Sequence, residues 1–207
     1  MHKLQLALDR MTIEDCINLA EQTKESINWI EIGTGVIKEY GMISVREMRA
    51  RFPEKIIVAD MKTCDAGKHE STQAFESGAN VTTVMGFSPN ATIRQCLEVA
   101  SNYNGEVMVD LLGVENAERV NEIYSLGARL FCLHVGKDMQ QEGELATSFL
   151  FQLVEGLEDI RIAVAGGVNI ETAPGLLEAG VDILIVGSFI TGSENPSASA
   201  KQLANVE

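Results

Sequence analysis

The chain has 207 residues, 45% of them hydrophobic, enough for one large domain with a buried core or for two small ones. A formal net charge of −14 argues against a nucleic-acid backbone or an anionic membrane surface as partner. No apolar run approaches the roughly 18 residues of a membrane span.

That charge still allows a small phosphorylated ligand, because a nest of backbone N–H groups binds phosphate without net positive charge. Met1-His2-Lys3 leads directly into a strand-like segment with no signal peptide, so the expected compartment is the cytoplasm. Cys16, Cys64, Cys96 and Cys132 form no CxxC pair and are expected as reduced, mostly buried thiols rather than a zinc site.

In chain order, the first apolar run, Leu4–Leu8, ends at Asp9 and is followed by a helical pattern over Ile13–Gln22. Trp29–Ile32 carries Glu31 at its end, with Thr34 just beyond, ahead of a helix at Ser44–Arg51. The run Lys55–Asp60 then gives way abruptly to three charges, Asp60, Lys62 and Asp65. A strand alternates its faces, so Asp60 and Lys62 share one face and Met61 takes the other, while Asp65 sits where the strand yields to a loop.

Helix His69–Ser77 leads to strand Val81–Met85, and helix Ala91–Tyr103 to strand Glu106–Leu111 with Asp110 near its end. Helix Ala117–Leu126 precedes strand Arg129–His134, whose loop holds Lys137 and Asp138. A helix over Glu142–Gly156 precedes strand Arg161–Ala165, and Ile170–Ala179 precedes Ile183–Val186. A last helix, Ser197–Val206, closes the chain.

Glycines in Ser77-Gly78-Ala79, Leu126-Gly127-Ala128 and Ala179-Gly180-Val181 mark helix ends that turn toward the next strand. Eight such β-then-α units predict an α/β fold, a single (β/α)₈ TIM barrel over residues 1–207, with a doubly wound open sheet as the alternative. A barrel places its active site at the carboxyl ends of its strands, where this chain carries Asp9, Glu31, Asp60, Lys62, Asp110 and His134.

Two carboxylates and an ammonium at the end of a buried strand are costly to desolvate unless they pair or bind something. Glu31 and Asp60 are oxygen donors on adjacent strands, suited to Mg²⁺, the plainer alternative being that Lys62 simply neutralises both. Lys62, flanked by acids, should stay an ammonium and stabilise an oxyanion. His134 is a candidate proton shuttle at neutral pH, or else a hydrogen-bonded core histidine. Gly166-Gly167, with Asn169 capping a helix from Ile170, and Gly187-Ser188 resemble the phosphate loops that follow strands seven and eight in barrel enzymes.

The segment Asp60-Met61-Lys62-Thr63-Cys64-Asp65 resembles the Asp-x-Lys-x-x-Asp signature of the orotidine-5′-phosphate decarboxylase superfamily. Leu6-Ala7-Leu8-Asp9, Glu31-Ile32-Gly33-Thr34, His134-Val135-Gly136-Lys137-Asp138 and Ala165-Gly166-Gly167 extend the similarity over essentially the whole chain. Within the superfamily the chain is similar to the branch of 3-hexulose-6-phosphate synthases and 3-keto-L-gulonate-6-phosphate decarboxylases. The resemblance implies a homodimer with Asp65 contributed to the neighbouring site, Mg²⁺ on Glu31 and Asp60, and an enediolate stabilised by the metal and Lys62. It also implies substrate and phosphate binding through Thr34, Gly166, Gly167, Gly187 and Ser188.

The decarboxylases of this branch carry a Glu, an Arg and an Arg where this chain has Asp110, Lys137 and Ser188. Those positions favour the synthase pattern, an aldol lyase that joins formaldehyde to D-ribulose 5-phosphate to give 3-hexulose 6-phosphate. His134 is then expected as base, Asp9 and Asp65 as residues orienting Lys62 and substrate hydroxyls, and Asp110 as an aid to proton transfer. The decarboxylase and a non-catalytic phosphosugar-binding barrel are the alternatives. Orotidine-phosphate decarboxylation is disfavoured, since that family has a lysine at the end of strand two and this chain has Glu31.

Overall fold

The computed structural model describes residues 2–141 and 148–206. Eight parallel strands close into a barrel in sequence order: β1 (Lys3–Leu8), β2 (Trp29–Ile32), β3 (Ile56–Thr63), β4 (Val81–Met85), β5 (Glu106–Asp110), β6 (Leu130–His134), β7 (Arg161–Ala165) and β8 (Ile183–Val186). Pairing of β1 with β8 completes the ring. Around it run α1 (Ile13–Thr23), α2 (Thr34–Tyr40), α3 (Ile43–Arg51), α4 (Gly67–Glu76), α5 (Asn90–Asn102) and α6 (Ala117–Ser125). They are followed by α7 (Lys137–Gln141), α8 (Ser148–Gln152), α9 (Ala173–Glu178), α10 (Ser188–Thr191) and α11 (Pro196–Ala204).

The two-residue period of the strands divides the core in two. Leu4, Leu6 and Leu8 join Ile30, Ile57, Val109 and Phe131 in the layer between sheet and helices, all at most 1% exposed. The alternate positions, among them Trp29, Val58, Met108, Leu130 and Ala163, fill the lumen. Removing a large outer-layer side chain such as Leu6 should cost about 2–5 kcal/mol, because the close-packed helices cannot collapse onto the gap.

Four strands coincide with their expected bounds and three differ by one residue at one end, since the apolar runs were bounded by clear turn residues. The glycines expected to end helices adopt φ of +98° (Gly78), +106° (Gly127) and +89° (Gly180).

β3 departs most from expectation. It continues three residues past Asp60, to Thr63, through a register irregularity between Ala59 and Thr63. Lys62 holds φ +46° there, in the left-handed region that a non-glycine residue occupies at a cost of about 1–3 kcal/mol. α2 and α10 are short helices in stretches read as loops, and α9 starts at Ala173 rather than Ile170. The expected helix Glu142–Gly156 lies partly outside the described residues; its described part is helical only over Ser148–Gln152. Among the described residues no helix is long and apolar enough to cross a membrane.

Candidate active site

Inward-facing residues at the top of the lumen converge from five strands. The register sets Ala7 beside Glu31 and Glu31 beside Val58, so the next inward position on β3, Asp60, rises one step above Glu31. Asp60 is 6% exposed, and three donor groups reach its carboxylate. Oδ2 accepts from Thr34 Oγ1 at 2.7 Å and lies 3.0 Å from Lys62 Nζ, and Oδ1 accepts from Thr83 Oγ1 at 2.8 Å. Thr83 Oγ1 also accepts from the Lys62 backbone N–H at 2.9 Å, which pins the strained turn that aims the lysine inward.

Lys62 Nζ lies 3.0 Å from Asp110 Oδ2, and the same oxygen lies 2.8 Å from His134 Nδ1. The second Asp110 oxygen accepts from the Leu112 N–H at 2.9 Å. Burial works against the Lys62 ammonium, but the charges of Asp60 and Asp110 and its bonds to them outweigh it and hold its pKa well above the ordinary lysine value. Burial alone would raise Asp110; the His134 hydrogen bond, the His134 and Lys62 charges and the Leu112 N–H reverse this and keep it an anion. Burial likewise pulls His134 down, and its bond to Asp110 and that carboxylate's charge leave the pKa raised above the usual imidazole value. With an anionic Asp110 on Nδ1, the proton of neutral His134 sits on Nδ1 and Nε2 is left as the base.

Glu31 has a different environment. Burial first, and the neighbouring Asp60 charge second, push its carboxyl up to about 7, against a hydrogen bond from Gln5 Nε2 to Glu31 Oε2 and the charge of Lys62. Asp9 Oδ1 accepts from the Gly35 N–H at 2.8 Å while Oδ2 pairs with Arg10 Nε at 3.2 Å.

These groups line a cavity of about 320 Å³ at the carboxyl end of the barrel, which Asp9, Glu31, Thr34, Asp60, Lys62 and His134 share with Gly166, Gly167, Gly187 and Ser188. At Gly166, φ is +98° and a Cβ would fall 2.2 Å from the Val135 carbonyl oxygen, so only glycine lets the loop lie against β6. Asn169 Oδ1 accepts from the N–H groups of Glu171 and Thr172, but it caps a turn that precedes α9 rather than the helix itself.

Ten of the twelve anticipated residues line this cavity. Asp110 stands behind it, 3% exposed, bracing Lys62 and His134. Asp65 is exposed on the loop after β3, outside the cavity of its own chain. The Thr34 hydroxyl is committed to Asp60. Cys64 is exposed and the other three cysteines are buried.

Sequence reasoning passed over Gln5, Thr83, Arg10 and Gln140. In the sequence Gln5 and Thr83 are marked only as polar residues inside strand-like runs. Arg10 lines the cavity from a turn with φ +54°, and Gln140 from the first turn of α7, where no local signal marks them.

The family model described as Orotidine 5'-phosphate decarboxylase / HUMPS family matches residues 2–203. A 3-hexulose-6-phosphate synthase of Mycobacterium gastri is 36% identical over 202 residues, 97% of this chain and 97% of that protein. A crystal structure of a 3-hexulose-6-phosphate synthase superposes with TM-score 0.92 at 36% identity, covering 98% of each chain. A crystal structure of 3-keto-L-gulonate-6-phosphate decarboxylase from Vibrio cholerae O1 biovar El Tor superposes with TM-score 0.87 at 29% identity, covering 98% of this chain and 95% of that one. With a family model and relatives spanning nearly its full length, the chain belongs to the orotidine 5'-phosphate decarboxylase / HUMPS family.

Proposed function

We propose that the protein condenses formaldehyde with D-ribulose 5-phosphate to form 3-hexulose 6-phosphate. The observation that carries this reading is the chain of contacts His134–Asp110–Lys62–Asp60 beside Glu31, facing a cavity whose far wall is the Gly166-Gly167 and Gly187-Ser188 loops. Whole-length similarity to proteins named as the synthase supports it.

The phosphate of ribulose 5-phosphate binds on the two glycine loops, and Lys137, on the cavity wall, adds positive charge. The substrate's reacting end then meets Lys62 and His134. His134 Nε2 takes a proton from C1, and the Asp110 carboxylate stabilises the imidazolium that results. The Lys62 ammonium stabilises the oxyanion of the enediolate. C1 attacks the formaldehyde carbon, a carbon–carbon bond forms as the enediolate oxygen returns to a carbonyl, and the former formaldehyde oxygen takes the proton held by the His134 imidazolium to give the new hydroxymethyl group and free base. Asp9 orients substrate hydroxyls from the end of β1.

Glu31 and Asp60, close enough for their charges to act on each other, would hold Mg²⁺. Among the described residues no group of three His, Cys, Asp and Glu forms a metal site, so water and substrate oxygens would complete the coordination. One or two carboxylates completed by water and substrate oxygens is the preference of Mg²⁺, and a nearby cation would relieve the unfavourable burial of ionised Glu31. When bound, Mg²⁺ supplies Lewis-acid polarisation of the substrate's carbonyl and neighbouring hydroxyl oxygens.

The reading extends to a cytoplasmic homodimer in which the exposed Asp65 of each copy completes the cavity of the other. The likeness to the decarboxylase structure favours one other reading, release of CO₂ from 3-keto-gulonate 6-phosphate through the same oxyanion stabilisation. Incubating the protein with ribulose 5-phosphate and formaldehyde, with Mg²⁺ or with EDTA, separates them. Metal-dependent loss of both compounds with hexulose phosphate appearing supports the synthase; no reaction, with CO₂ released from the keto-gulonate phosphate, supports the decarboxylase.

A further inference from the structure

Gln5 is completely buried in the barrel lumen, on the inward face of β1 and directly beside Trp29 in the register. The lumen around it is apolar: Trp29, Val58, Met108, Leu130, Ala163 and Ile185. Gln5 Nε2 donates to Glu31 Oε2, and Gln5 Oε1 has no hydrogen-bond partner. A buried amide oxygen without a partner is unfavourable, and an apolar side chain of the same length would pack there without that penalty. The residue therefore works against stability at its own position, and its one polar contact is with a carboxylate of the cavity.

We propose that Gln5 is a positioning residue that holds Glu31 by one oxygen and leaves the other oxygen, Oε1, turned to the cavity for the cation. The inference rests on the reading of Glu31 and Asp60 as the Mg²⁺ site. Asp60 is held by Thr34, Thr83 and Lys62, whereas the one protein hydrogen bond to the Glu31 side chain among the described residues comes from Gln5. A freely rotating Glu31 would offer either oxygen, or both, and bind the cation more weakly. Groups that orient a metal ligand typically change metal affinity about 10–100-fold when removed.

The test is calorimetric titration of the purified protein with Mg²⁺ alone, for wild type, Gln5→Met and Gln5→Asn, with melting temperatures measured in EDTA. Gln5→Met keeps the length without the amide, and Gln5→Asn keeps an amide too short to reach Glu31. Both variants are expected to weaken Mg²⁺ binding about 10–100-fold. In EDTA at pH 5, where Glu31 is protonated, Gln5→Met should melt at or above the wild-type temperature, an outcome that a merely structural role for Gln5 would not produce. Wild-type affinity in either folded variant overturns this inference alone. Absence of Mg²⁺ binding by the wild type overturns both the inference and the metal reading beneath it.

Discussion

Asp110 Oδ2 lies 2.8 Å from His134 Nδ1 and 3.0 Å from Lys62 Nζ, so one buried oxygen serves both the candidate base and the candidate cation. A single carboxylate thereby orients the imidazole and helps keep the lysine charged. Asp110 is buried and lies outside the cavity lining, so its expected part in the chemistry runs through its two neighbours.

The pH dependence of the reaction follows from that arrangement. With His134 as the proposed base its neutral form is required, and its pKa is raised, so kcat/KM should rise with pH through a limb above the ordinary imidazole value. Asp110→Asn removes the charge that raises His134 while burial still lowers it, so the limb should move to lower pH. The same variant should lose roughly 10²–10⁴ in kcat, the range of a disabled general base. A pH–rate profile in which the limb stays in place would show that Asp110 does not control His134.

Lys62→Ala should lower kcat by roughly 10²–10³, the scale of losing an oxyanion-stabilising donor, with the barrel intact by circular dichroism. Because φ at this position is +46°, Lys62→Gly should melt at a higher temperature than Lys62→Ala. Near-normal turnover in either variant would remove Lys62 from the mechanism.

On the proposed metal reading, Glu31 would link metal binding to stability. Its folded pKa of about 7 lies above the unfolded value of 4.5, so its stabilising contribution is complete below 4.5 and lost as pH rises through about 7. In EDTA, Glu31→Gln should therefore raise the melting temperature at pH 8 and change it little at pH 5. Mg²⁺ should stabilise the wild type at pH 8 more than at pH 5, read by thermal denaturation.

Gly166→Ala places a methyl group against the Val135 carbonyl in a backbone conformation that costs a non-glycine residue about 1–3 kcal/mol. Displacing that loop should raise KM for ribulose 5-phosphate more than tenfold while kcat changes far less. Steady-state kinetics with the sugar phosphate varied at saturating formaldehyde measures the split.

Asp65 lies outside its own chain's cavity, so the shared-site reading predicts complementation. Asp65→Asn and Lys62→Ala proteins should each be nearly inactive. Unfolded and refolded together, they should recover about a quarter of wild-type activity, since a two-fold dimer of mixed subunits contains one intact site. Failure to recover activity, with mixed dimers shown to form, would place Asp65 outside the catalytic site.

Most of the site's membership was legible because strand ends are marked in the sequence. Asp9, Glu31, Asp60 and His134 each terminate an apolar run, and a barrel gathers all strand ends at one mouth. The misses have two causes. Gln5 and Thr83 sit one or more steps inside their strands, where a polar residue acquires meaning only from what lies across the lumen. Arg10 reaches the cavity through a left-handed backbone conformation that no local preference favours.

The sequence by itself determined the alternation of eight strands with helices, the glycine turns and the residues available at the barrel mouth, because hydrophobic period and turn chemistry are local properties. Only the tertiary structure decided which of those residues meet. Lys62 and Asp110 are 48 residues apart, and Asp110 and His134 are 24 apart. Their contact depends on barrel closure, on inward register and on the left-handed turn at Lys62 that carries β3 beyond Asp60. These are long-range pairings, and their energy lies in burial and charge across the lumen rather than in any one segment.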